Sequence, residues 1–87
     1  MTASTAWIGH QIAVRLASEL IREGLAAGLD WKDIAVATET VVAVTVCACA
    51  SLSRTPNQAA FVRETIEMVT AQAHHRAMVT VTGAPQS

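Results

Sequence analysis

Three groups of side chains in this sequence are of the types that build reactive or metal-binding sites. His74 and His75 are adjacent, with His10 and Glu67 as further donors of the kind a transition metal takes. Neighbouring residues point about 100° apart on a helix, and neither Glu-x-x-His nor His-x-x-x-His spacing occurs. The pair therefore reads as a solvated surface feature, and no metal is expected. Cys47-Ala48-Cys49 has the same defect, because residues two apart on a helix diverge and no second Cys or His pair accompanies them. Both thiols read as small buried side chains of a reducing compartment. Glu39 is the third. A carboxylate among apolar residues needs a partner, solvent access or a raised pKa. Pairing with Arg15 or Arg22 is the leading expectation, and a polar registry device in a symmetric interface is the next. Thr38 and Thr45, one heptad apart, are suited to the same registry role. No second carboxylate, histidine or nucleophile can be placed beside Glu39, and no Gly-rich phosphate loop is present. The chain reads as non-enzymatic, with no catalytic residue and no cofactor.

The elements that carry these groups follow from punctuation and periodicity. Ile8, Ile12, Leu16 and Leu20 repeat every four residues, widened by Ala13, Ala17 and Ile21. Gln11, Arg15, Ser18, Glu19, Arg22 and Glu23 fall opposite. The spacing predicts an amphipathic helix over about 5–29, capped by Ser4 or Thr5 and stopped by Gly28-Leu29-Asp30. Asp30 then caps a second helix over about 31–53, with Asp33 in its first turn where negative charge suits the helix dipole. The run Val42-Ala-Val-Thr-Val-Cys alternates like a strand. Its length and its freedom from interior Gly or Pro predict helix instead. Arg54-Thr55-Pro56-Asn57 is a boundary, with Thr55 as N-cap and Pro56 as first helical residue of a third helix over about 56–80. Ala59, Val62, Ile66, Val69 and Ala73 form its apolar line, with Phe61, Thr65 and Met68 beside it. Residues 81–87 are expected to be a short tail, and 78–82 fit either a last helical turn or an extended end. The expected fold is all-α: one domain over 1–87, a three-helix antiparallel bundle with a very apolar central helix.

That central segment, Ile34 to Leu52, has only Glu39 to mark a wet side. A helix apolar all round must be surrounded by protein or by lipid. Its 19 residues approach the length of a bilayer span. Thr38-Glu39-Thr40 lies within it, and Ala, Thr and Cys contribute little partitioning energy. No aromatic belt brackets it, although Trp31 stands at one end. A single-span membrane protein is thus the alternative, and a soluble bundle the main expectation.

Composition favours extra packing partners. The chain has 87 residues, of which 52% are hydrophobic, yet it holds one Phe, two Trp and no Tyr. Few side chains deliver a large burial each, and a monomer of this size leaves much of its surface wet. In a three-helix monomer the middle helix has two neighbours and an uncovered side, for which a two-fold homodimer is the commonest solution. Val36, Val42, Val44 and Val46, with Thr38 and Thr45, are the residues expected at that interface. Trp7 and Trp31 read as core-edge residues or as exposed aromatics of an interface. On the third helix the polar line Arg63, Glu67 and His74 is a surface for another protein. The net charge is −1 and the six basic residues are scattered, which argues against nucleic acid. No signal peptide pattern is visible, so a cytoplasmic location is expected.

The segment Asn57-Gln-Ala-Ala-Phe61-Val-Arg-Glu-Thr-Ile66-Glu67-Met68 through Gly83 resembles the C-terminal helix of the TraM-type quorum-sensing anti-activators. Gly28-Leu29 followed by Asp33-Ile34 is similar to the turn entering that family's preceding helix. The resemblance covers under half of the chain. It implies a small, all-helical, dimeric protein that blocks DNA binding by LuxR-type regulators, with the third helix near the contact surface. The first amphipathic helix and the strongly apolar second helix depart from the family's pattern.

Overall fold

Three helices make up the computed structural model, which describes residues 2–83, with side chains described from Thr5 onward. These are α1 (Thr2–Ala26), α2 (Trp31–Ser53) and α3 (Gln58–Thr82), and no strand occurs among the described residues. The all-α class is as the sequence indicates, and the β-branched run of α2 is helical. Of the expected tail, residues 84–87 lie outside the described ones.

α1 is helical from Thr2, so Ser4 and Thr5 lie within it rather than capping it. Its end comes at Ala26, earlier than the expected residue 29. Gly28 adopts φ +88°, a left-handed conformation that costs a residue without Cβ nothing. The Leu29 N–H then donates to Gly24 O at 2.9 Å and the Gly28 N–H to Leu25 O at 3.1 Å. This pair of bonds is a Schellman closure, which satisfies carbonyls the ended helix leaves free.

Two residues on, Asp30 opens α2 through a reciprocal cap. The Asp33 N–H donates to Asp30 Oδ1 at 3.0 Å, and the Asp30 N–H donates to Asp33 Oδ2 at 3.2 Å. An aspartate here fills the third-position role that glutamate usually plays. The backbone bond from Asp33 holds the Asp30 carboxyl below the ordinary carboxylate range. A depressed folded pKa means the cap's stabilisation is complete above the unfolded carboxylate pKa and is lost as pH falls through the folded value. Asp30→Ala is therefore expected to lower the thermal midpoint at pH 7, with the gap to wild type closing in acid. A gap unchanged down to the acid transition would show that the charged cap contributes nothing.

The α2–α3 link is held by side chains. Arg54 carries a positive φ of 56° and ends α2, its N–H donating to Ser51 O at 3.3 Å. Gln58 Nε2 reaches back to Thr55 O at 2.6 Å and to Ala50 O at 3.1 Å. The cap of α3 is Asn57, whose Oδ1 accepts from the Ala60 N–H at 3.0 Å. Thr55 and Pro56, expected as cap and first helical residue, lie in the preceding turn. The physical reason is that the Thr55 carbonyl is taken by the Gln58 side chain, so the helix starts two residues later. Residues 78–82 are helical, and Gly83 closes α3 at φ +71°, its N–H donating to Val79 O at 2.8 Å.

The chain divides into two compact units, Met1–Glu39 and Thr40–Ser87, with the boundary inside α2. In the first, Gly24 is buried while Leu20, Ile34 and Ala37 are half-buried. A Cβ on Gly24 would lie 3.1 Å from Ile34 Cγ1 and 3.6 Å from Leu29 Cδ1, so the glycine permits this close approach of helix to helix. In the second unit Val46 and Ala50 are 4% and 2% exposed, and they are the only buried hydrophobic side chains among the described residues. Val42 continues their four-residue line as a half-buried neighbour, and α3 contributes Phe61, Val62, Thr65, Ile66 and Val69 at half-burial.

Candidate interaction surface

The reactive side chains do not converge. Among the described residues, no group of three or more His, Cys, Asp or Glu could hold a metal. His74 and His75 are exposed on α3, while the exposed His10 stacks on Trp7 with ring centroids 5.8 Å apart and planes at 21°. Cys47 and Cys49 are free thiols and both are exposed, which corrects their expected burial. The cover on that half of α2 follows the Val42, Val46 and Ala50 line, and neither cysteine lies on it.

Glu39 is likewise exposed rather than buried. Arg22, one of its expected partners, instead pairs with Glu19 on its own helix at 2.7 Å. Exposed pairs of this kind contribute at most about 1 kcal/mol. The Thr38 hydroxyl donates to Ile34 O at 3.1 Å, so its proton is used within α2 and needs no partner across an interface. Thr45 is exposed.

What the structure does present is a large apolar surface. Of the four valines expected at an interface, Val46 is spent within the chain and Val42 is half-buried, which removes Val46 from the free surface. Val36 and Val44 are 61% and 64% exposed. Val41 and Leu52, which the sequence pattern places on the side of Ile34 but not at the expected interface, are both exposed and follow Ile34 and Ala37 at intervals of four and eleven residues. That spacing was the available signal. α1 is exposed at every position from Thr5 to Ser18, including Ile8, Ile12 and Leu16 of its four-residue line. Trp7, Val14 and Ile21, seven residues apart, form a second exposed line on the same helix. Trp31 is exposed too, with Lys32 Nζ 5.6 Å from its ring centroid. On α3, Arg63, Glu67 and His74 are exposed and share the side opposite Phe61, Thr65 and Val69.

No protein-family model, curated protein or solved structure matches this chain.

Proposed function

We propose that this chain is a non-enzymatic helical interaction protein that works as a homodimer and binds a further protein through its outer helix faces. The observation that carries the reading is the exposure of large apolar side chains along α1 and α2, against only two buried apolar residues. A run of exposed helix as long as residues 5–18 is marginal in water without tertiary cover. Large apolar side chains left exposed in such number mark a site of association. A second copy supplies cover at concentrations above the dimer's dissociation constant, and the two-fold arrangement closes the assembly.

The polar line Arg63, Glu67 and His74 on α3 is the surface offered to another protein, in the cytoplasm. The resemblance in this helix narrows the partner to a LuxR-type regulator. On that reading, mixing the two abolishes the regulator's retention on its DNA, and an unchanged complex counts against it.

A second reading has its own support. α2 is long and apolar enough to cross a bilayer, and little of it is buried. One experiment separates the two. Expressed without detergent, the chain should remain in the soluble fraction and sediment at twice 9.2 kDa. Recovery only with membranes favours the span, and a folded species at 9.2 kDa rejects the homodimer.

A further inference from the structure

We draw no further inference here: the strongest candidate, the exposed apolar line Trp7, Val14 and Ile21 on α1, carries nothing because nothing in the structure shows what covers it.

Discussion

Val44→Asp is expected to convert the proposed homodimer to a monomer that has lost much of its helix. Val44 is 64% exposed in the single chain, and a substitution at a freely solvated position is worth no more than about 0.5 kcal/mol either way. Beneath a second copy the same change removes a valine's burial, about 1.5–3 kcal/mol, and places a carboxylate in an apolar contact. With one such contact from each copy, the dissociation constant should rise at least about a hundredfold, which is about 2.7 kcal/mol. Sedimentation against concentration reads this directly, and an unaltered mass would place Val44 in water. Arg63→Ala, on the polar side of α3, is the natural control because that position lies outside the proposed dimer contact.

The second large effect belongs to Val46→Asp, two residues further along the same helix. Val46 is 4% exposed, and with Ala50 it makes up the buried apolar centre of its unit. An unpaired carboxylate there costs about 3–5 kcal/mol, a large share of the stability of a domain this small. The unit formed by the second half of α2 and α3 should lose its helical signal by circular dichroism at pH 7. In contrast to Val44→Asp, no increase in protein concentration restores it, because the lost packing lies inside one chain. Partial rescue is expected only in acid, as the carboxyl takes up a proton. A fully folded Val46→Asp protein at neutral pH would contradict the packing of α3 on α2.

These two valines show what the sequence disclosed and what it withheld. Breaks between helices were legible because their chemistry is local. Gly28 supplies a left-handed residue, Asp30 and Asp33 cap each other, and Gly83 ends α3. The α3 cap was misplaced by two residues, since Thr55 and Asn57 both suit the role and only the reach of Gln58 decides between them. Burial was far less legible. Val44 and Val46 sit in one run of small apolar residues, and nothing local says that α3 covers one and not the other. Cys47, Cys49 and Glu39 were assigned to an interior for the same reason. Apolar periodicity records that a face must be covered, and it is silent about the neighbour that covers it. The candidate surface was therefore half visible: Val36 and Val44 were named, while Val41, Leu52 and the whole outer run of α1 emerged from exposure in the folded chain.

Amide hydrogen exchange along α1 tests most directly whether a second molecule completes this fold. Residues 5–18 are all exposed in the single chain, and a helix of that length without a packed face frays and exchanges quickly. The account predicts slow exchange there at concentrations where the dimer forms, becoming fast on dilution and in Val44→Asp. Fast exchange of these amides at every concentration, in a chain whose Val46 region stays protected, would contradict it.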